Sequence, residues 1–192
     1  MKNNNASHVS VGGGKYRGKK LLLPSLQTTR STKSILKESL FNTLQFEVCD
    51  ALFVEVFGGS GSIGIEAVSR GARQAYFIEK DQDAFAVLQK NCASVDAKAF
   101  TCKRGNAFEV LLPLAASLGA PAYFYFDPPF SFREGMEEVY RSCFELAEKL
   151  PPQCVKMVIF EHMNTLKMPQ ELGVFTLQKT KAFGKSALSY YM

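Results

Sequence analysis

The stretch VEVFGGSGSIG, residues 54–64, is the clearest indication of a fold in this chain of 192 residues. It joins an apolar run to a helical pattern, SIGIEAVSRGA, through a glycine-rich turn. Gly59, Gly61 and Gly64 have the spacing G-x-G-x-x-G, in which glycine lets the backbone approach a nucleotide-containing ligand closely. The next apolar run ends in Glu79, 20 residues after Gly59, where an acid can accept hydrogen bonds from ribose hydroxyls. The stretch therefore predicts a strand, a ligand-binding turn and a helix.

The same alternation continues on both sides of this stretch. From residue 51 onward, short apolar strands alternate with amphipathic helices, which predicts an α/β fold with a mostly parallel sheet covered on both faces. The chain ends in two strands joined around residues 182–185, which predicts an antiparallel hairpin at the sheet edge. A helix with Ile35, Leu36, Leu40, Phe41 and Leu44 on one apolar face is expected before the first strand. We expect one domain over 31–192, preceded over 1–30 by a flexible tail and a basic, hairpin-like extension.

The composition limits the classes of protein to consider. Five cysteines are scattered without a C-x-x-C pair and only two histidines occur, so we expect reduced thiols and no metal site. The first ten residues lack the apolar core of a signal peptide. No apolar run is long enough to span a bilayer. We therefore expect a cytoplasmic protein with no membrane partner.

A basic segment precedes the domain. VGGGKYRGKKLLLP, residues 11–24, combines glycines with cations and one aromatic ring, and the net charge of +5 suits a polyanionic partner without requiring one. The predicted RNA-binding residues are Lys15, Tyr16, Arg17, Lys19, Lys20, Arg30 and Lys33. Cations along phosphates and a tyrosine stacked on a base would bind RNA. The alternative is an edge strand that its lysines keep soluble.

The glycine turn leaves two types of cofactor open. A dinucleotide would place its pyrophosphate at the helix N-terminus, whereas S-adenosylmethionine carries a cationic sulfonium that suits Glu55, just before the glycines. A dehydrogenase would also need a second domain for its substrate, and 192 residues leave no room for one. A tight turn without any ligand is the third possibility. Asn106, after the third strand, could accept from an adenine amino group or serve only as a turn residue.

The fourth strand runs into the motif AYFYFDPPF, residues 122–130. Pro128 and Pro129 lack N–H donors and fix the backbone, so their carbonyls and the Asp127 carboxylate can accept hydrogen bonds at one point. Phe130 adds a flat face. This combination suits a planar exocyclic amine on a stacked base, whose nitrogen could then accept a methyl group. By itself the motif could also be a turn that ends a strand.

These residues resemble a known family. FVEVFGGSGSIGIEAVSRGA, AYFIEKD and FYFDPPF are similar to class I, Rossmann-like S-adenosylmethionine-dependent methyltransferases with an [N/D/S]-P-P-[F/Y/W] motif. GGKYRGKKL, TRSTKSILKESLFNTL and the last two strands resemble, more narrowly, the RsmD-type 16S ribosomal RNA guanine-N2 methyltransferases. The resemblance implies a seven-stranded sheet with an antiparallel last strand. It also implies a monomer that methylates guanine N2 in 16S rRNA within a small ribosomal subunit or its assembly intermediate.

The resemblance also assigns roles to residues. Glu55 and the turn residues Gly58, Gly59, Ser60 and Gly61 would hold the methionine part of the cofactor, Glu79 its ribose and Asn106 its adenine. Phe57, Lys80, Ala107 and Asp127 complete the cofactor-binding set, and the catalytic set is Asp127, Pro128, Pro129 and Phe130.

The sequence departs from the family pattern at three places. The family usually has Asp at the positions of Glu55 and Asn106, and Arg-Pro-Thr-Thr-Asp-Arg where this chain has RSTKSI, residues 30–35. An adenine-N6 methyltransferase on RNA or DNA is the nearest alternative function, because the same acceptors serve either amine. A non-catalytic rRNA-binding assembly factor is the alternative from another class.

Overall fold

The computed structural model describes residues 7–24, 30–128 and 136–192, and the side chains in these ranges except at 30–33 and 136–137. The described part of the chain forms ten strands and five α-helices. They are β1 His8–Ser10, β2 Lys20–Leu22, α1 Arg30–Leu44, β3 Leu52–Glu55, α2 Ser62–Ser69, β4 Gln74–Glu79, α3 Gln82–Val95, β5 Phe100–Arg104, α4 Ala107–Ser117, β6 Ala122–Phe126, α5 Met136–Glu148, β7 Val155–Met163, β8 Glu171–Leu172, β9 Phe175–Phe183 and β10 Ser186–Tyr191.

The large sheet has the strand order β5-β4-β3-β6-β7-β10-β9-β8. The strands from β5 to β7 are parallel, and β10 is antiparallel to both β7 and β9. The predicted α/β fold, with a mostly parallel sheet and an antiparallel last strand, is therefore confirmed. Since the chain moves outward in one direction from β3 to β5 and in the other from β6 to β7, the strand order reverses between β3 and β6. Ligands bind at such a point in open α/β sheets.

The sheet has eight strands rather than the seven that the resemblance implied. The additional strand, β8, is only two residues long and pairs with the start of β9. Leu172 is fully buried, and Gly173 has a φ of 60°, which glycine adopts without strain in the turn to Phe175. Burial of Leu172 and this glycine turn explain why the chain adds a strand there.

Two apolar clusters cover the two faces of the sheet. One packs α1, α2 and α3 against β3, β4 and β6, and includes Phe41, Phe53 and Tyr125. The other packs α4 and α5 against the opposite face, and includes Phe124 and Phe160. β3 and β6 are buried along their whole length, as expected for central strands covered on both faces.

Two details of the helices differ from the simplest expectation. Ile35, predicted to lie on the apolar face of α1, is 54% exposed, so that prediction is wrong; the buried face begins at Leu36. α4 continues through Pro113, which is exposed. The carbonyl that a proline leaves without a helical donor would belong to Glu109, which is also exposed, so water can hydrate it.

The N-terminal segment packs on the domain. β1 and β2 pair antiparallel, and the turn between them contacts the C-terminal half of α2. Gly14 has a φ of 76°, and a Cβ added there would lie 1.8 Å from the Ser69 carbonyl oxygen. Lys15 N–H donates to that oxygen at 2.6 Å, and Tyr16 N–H donates to Ser69 Oγ at 2.9 Å. Within the described ranges, no helix is long and apolar enough to cross a membrane.

Candidate active site

An open cleft of about 2020 Å³ lies at the carboxyl edge of the sheet, where the strand order reverses. The loops after β3, β4, β5 and β6 line it, and the N-terminal segment and the β9–β10 turn contribute further walls. Small-molecule pockets usually enclose roughly 300–1,000 Å³. The cleft is therefore large enough for a cofactor together with part of a second molecule.

The glycine turn after β3 is held by two carboxylates. Glu55, which is 5% exposed, accepts from the N–H of Gly64 at 2.8 Å in the first turn of α2. Glu79 accepts from the N–H of Gly59 at 2.7 Å. Gly61 has a φ of 76°, and a Cβ there would lie 2.5 Å from Leu88, so a larger residue would disrupt the turn. Gly61 thus shapes the turn, whereas Gly58, Gly59 and Ser60 line the cleft.

The acid at the end of β4 lies between the glycine turn and the start of α3. Besides Gly59, the Glu79 carboxylate accepts from the N–H of Asp81 at 2.7 Å, and Asp81 in turn caps α3 by accepting from Ala84 N–H at 2.8 Å. Glu79 and Lys80 both line the cleft. A carboxylate has about four acceptor sites, so Glu79 can hold the turn and still accept from ribose hydroxyls.

The loop after β5 forms the next part of the wall. Asn106 caps α4, since its side-chain oxygen accepts from Phe108 N–H at 3.2 Å. Asn106 and Ala107 line the cleft. The rings of Phe57 and Phe108 pack edge to face, with their centroids 6.3 Å apart. These two aromatic rings give the wall an apolar surface beside which an adenine could lie.

The predicted base-binding residues follow β6, which lies next to β3 on the side away from β4 and β5. Asp127 is half-buried and Pro128 is buried, and both line the cleft. Burial is the main cause that raises the pKa of Tyr125 well above its usual range, and the negative charges of Glu161 and Asp127 raise it further. Pro129 and Phe130, the other half of the motif, lie outside the described residues.

The predicted RNA-binding residues divide into three groups. Lys15, Arg17, Lys19 and Lys20 are exposed on the β1–β2 segment, and Arg17 reaches the cleft. The ring of Tyr16 is half-buried and its hydroxyl donates to Asp96 at 3.1 Å, so the structure gives it a partner within the protein. The side chains of Arg30 and Lys33 lie outside those that the structure describes.

Two residues of the site were missed at the level of sequence. Glu161, in β7, lines the cleft and accepts from the Tyr125 hydroxyl. Asn91, in α3, is 2% exposed; its side chain bonds both backbone groups of Leu22 and donates to the carbonyl of Ser60 at 2.8 Å. The acid near the carboxyl end of VKMVIFEHM was a signal for Glu161, of the same kind that had indicated Glu55 and Glu79. Nothing in the sequence pattern indicates Asn91.

Comparison with known proteins identifies the family. The model of a family described as "Conserved hypothetical protein 95" matches residues 9–192. The chain belongs to the Conserved hypothetical protein 95 family. Within it, the chain is 33% identical over 187 residues to the Ribosomal RNA small subunit methyltransferase D of Escherichia coli strain K12, covering 97% of this chain and 90% of that protein. The relative of the same name from Haemophilus influenzae is 28% identical, with 94% and 92% covered. The resemblance stated from the sequence is confirmed.

Solved structures agree with this family assignment. The Escherichia coli chain yhhF superposes with a TM-score of 0.74 at 30% identity, covering 96% of this chain and 97% of that chain. An RNA methyltransferase from Salinibacter ruber, solved with S-adenosyl-L-homocysteine, gives a TM-score of 0.57 at 16% identity, with 82% and 89% covered. The chain thus has the class I methyltransferase fold.

Proposed function

We propose that this protein transfers a methyl group from S-adenosylmethionine to the exocyclic N2 of a guanine in small-subunit (16S) ribosomal RNA. The observation that carries the proposal is the position of the D-P-P-F acid: Asp127 lines the same cleft as the glycine turn and Glu79. The family and the names of its relatives support the same activity and substrate.

The cleft has the groups that S-adenosylmethionine requires. Glu79 would accept from its ribose hydroxyls, and the glycine turn with Glu55 would lie beside its methionine part. Asn106 and Ala107, with Phe57 nearby, would face its adenine. When bound, the cofactor supplies a methyl group on a positively charged sulfonium, and loss of that methyl group leaves a neutral thioether. A carboxylate-lined cleft suits that charge better than it suits a pyrophosphate.

Asp127 would act on the target amine. The lone pair of an exocyclic amine is delocalised into its base, so the amine is a poor nucleophile. Hydrogen bonds from its N–H groups to Asp127 and to the carbonyl of Pro128 favour a pyramidal nitrogen whose lone pair can form the new N–C bond. The nitrogen gains a carbon and must lose one proton, and a carboxylate is placed to receive it. The rest of the acceleration comes from orientation.

The exposed cations of the N-terminal segment would position the RNA. Lys15, Arg17, Lys19 and Lys20 lie together on β1–β2 and the turn between these strands, and Arg17 leads into the cleft. Because an enzyme cannot reach its target atom on a base inside a duplex, the target base would have to be unpaired or leave its stack. We further propose that the protein acts as a monomer in the cytoplasm on an assembling or assembled small subunit, which can present such a base.

The Asp127→Ala variant tests the proposal. Small subunits from cells that lack the gene would be incubated with methyl-labelled cofactor, and the nucleosides analysed by mass spectrometry. We expect kcat/KM for N2-methylguanosine formation to fall by about 10²- to 10⁴-fold, while S-adenosylhomocysteine affinity, measured by calorimetry, stays within a few-fold. Glu145→Ala, an exposed acid on α5, is the matched control. Near wild-type activity of Asp127→Ala would contradict the role of this carboxylate.

A further inference from the structure

Three carboxylates occupy adjacent strands at the edge of the cleft. Glu55 ends β3, Asp127 follows β6, and Glu161 lies near the end of β7. Tyr125 pairs with Glu55 on one side and with Ile159 on the other. Because side chains alternate along a strand, Glu55, Tyr125 and Glu161 share one face of the sheet. The cleft is therefore lined by acceptors on that face.

Glu161 is placed to contact a ligand as well as to support the core. It is 5% exposed and lines the cleft together with Asp127. The Tyr125 hydroxyl donates to Glu161 Oε2. Burial and the neighbouring charges raise the pKa of Tyr125, so the hydroxyl keeps its proton and remains a donor. A carboxylate has about four acceptor sites, so the bond from Tyr125 is compatible with a bond from a ligand.

The two purines that carry an exocyclic amine differ at the neighbouring ring atom. In guanine, N1 carries a hydrogen beside the N2 amine, so these two positions present donors only. In adenine, N1 is an acceptor beside the N6 amine. Ionised carboxylates are acceptors only, so two of them match the guanine edge, whereas one of them would face the adenine N1 lone pair. A site built to accept a donor strongly rejects an analogue that lacks it.

We propose that Glu161 accepts from N1–H of the target guanine while Asp127 accepts from its N2 amine, so that Glu161 selects guanine over adenine. This inference rests on the proposed function. It assigns a base-reading role to a residue outside the D-P-P-F motif. It also supplies the discrimination that the motif lacks, since Asp127 alone can accept from either amine.

The first test compares Glu161→Gln with Tyr125→Phe on small subunits from cells that lack the gene. We expect Glu161→Gln to lower kcat/KM for N2-methylguanosine by about 10- to 100-fold, as for loss of one charge-assisted hydrogen bond. Tyr125→Phe keeps the Glu161 carboxylate and removes only the hydroxyl that donates to it, so kcat/KM should fall less in this variant. An equal loss in both variants would mean that Glu161 merely supports the core, and would overturn the inference. S-adenosylhomocysteine affinity reports whether each variant is folded.

The second test compares two nucleotides that share the 2-amino group and differ at N1 and at C6. GMP and the monophosphate of 2,6-diaminopurine riboside both carry the 2-amino group, but only GMP has a hydrogen on N1. With S-adenosylhomocysteine present, NMR titration of the wild-type protein should give about tenfold tighter binding of GMP, and Glu161→Gln should lose this preference. Equal affinities for the wild type would overturn the inference. If the wild type forms no N2-methylguanosine at all, the proposed function fails; if it does and Glu161→Gln matches it, only the Glu161 role fails.

Discussion

Replacing Glu66 should destabilise the protein more than any exposed acid, because it is a buried charge with four partners. The Glu66 side chain is 0% exposed. It forms ion pairs with Lys37 at 2.9 Å and Arg70 at 2.8 Å, and it accepts from the N–H groups of Gly12 at 2.7 Å and Gly13 at 2.8 Å. The carboxylate therefore joins α2, α1 and the N-terminal segment.

The magnitude follows from what Glu66→Ala leaves behind. Lys37 is only 6% exposed, so its ammonium would stay buried. Among the described residues, it would keep its bond to the Ser10 carbonyl at 2.7 Å. Removing one partner of a buried ion pair costs about 3–5 kcal/mol, a large part of the roughly 5–15 kcal/mol that stabilises a typical domain. With a urea slope near 2 kcal/mol/M, the unfolding midpoint should fall by about 1.5–2.5 M.

The assay is urea unfolding followed by circular dichroism, together with trypsin digestion under native conditions. Trypsin should cleave the variant faster after Arg17, Lys19 and Lys20, since Glu66 anchors the backbone just before them. Glu145→Ala, the exposed control, should change the free energy of unfolding by less than about 0.5 kcal/mol. If Glu66→Ala lowers the free energy of unfolding by less than about 1 kcal/mol and leaves the rate of proteolysis unchanged, the stabilising role of Glu66 is refuted.

The stability should also depend on pH in a direction that the structure fixes. Burial alone would raise the pKa of Glu66, but the Lys37 ammonium, the Gly12 N–H and Arg70 together hold it below its ordinary value of 4.5. The unfolded chain thus binds the proton more readily than the folded protein does. The contribution of Glu66 to the free energy of unfolding is therefore complete above pH 4.5, and it is lost as the pH falls through the pKa of the folded state. The difference in unfolding free energy between wild type and Glu66→Gln should shrink below pH 4.5. A difference that grows there would contradict this sign.

Two further predictions concern the N-terminal segment and the glycine turn. The first changes the exposed cations of the segment together to alanine, at Lys15, Arg17, Lys19 and Lys20. RNA binding should weaken, and the slope of log Kd against log salt should fall by up to about 3 for single strands, because each phosphate contact releases counterions. An unchanged slope in filter binding would refute phosphate contact. Asn91→Ala should weaken S-adenosylhomocysteine binding in calorimetry, since it frees the Ser60 carbonyl from a 2.8 Å bond; unchanged affinity would contradict a positioning role.

The central part of the fold could be predicted because local sequence determines it. The glycines between β3 and α2, the acid at the end of β4 and the D-P-P-F motif after β6 each mark the end of a strand. Since parallel strands place these ends at one edge, the alternation of strands and helices was enough to bring Glu55, Glu79 and Asp127 together.

The remainder depends on contacts between distant parts of the chain. Glu66, in the pattern SIGIEAV, resembles an ordinary helical surface acid, but residues 12–13 and Lys37 of α1 pack against it. Asn91 lies 69 residues from Leu22 and 31 from Ser60, and no local pattern indicates such a bridge. Glu161 enters the site because β7 pairs with β6 in a particular register, which the sequence does not specify.

The proposed activity can be measured by mass spectrometry of the nucleosides of small-subunit ribosomal RNA from cells with and without this gene. We expect one N2-methylguanosine to disappear with the gene and to return when the wild-type protein, but not Asp127→Ala, is restored. Small-subunit RNA with its N2-methylguanosine unchanged would contradict the account, whether N6-methyladenine is lost instead or no methylated base changes.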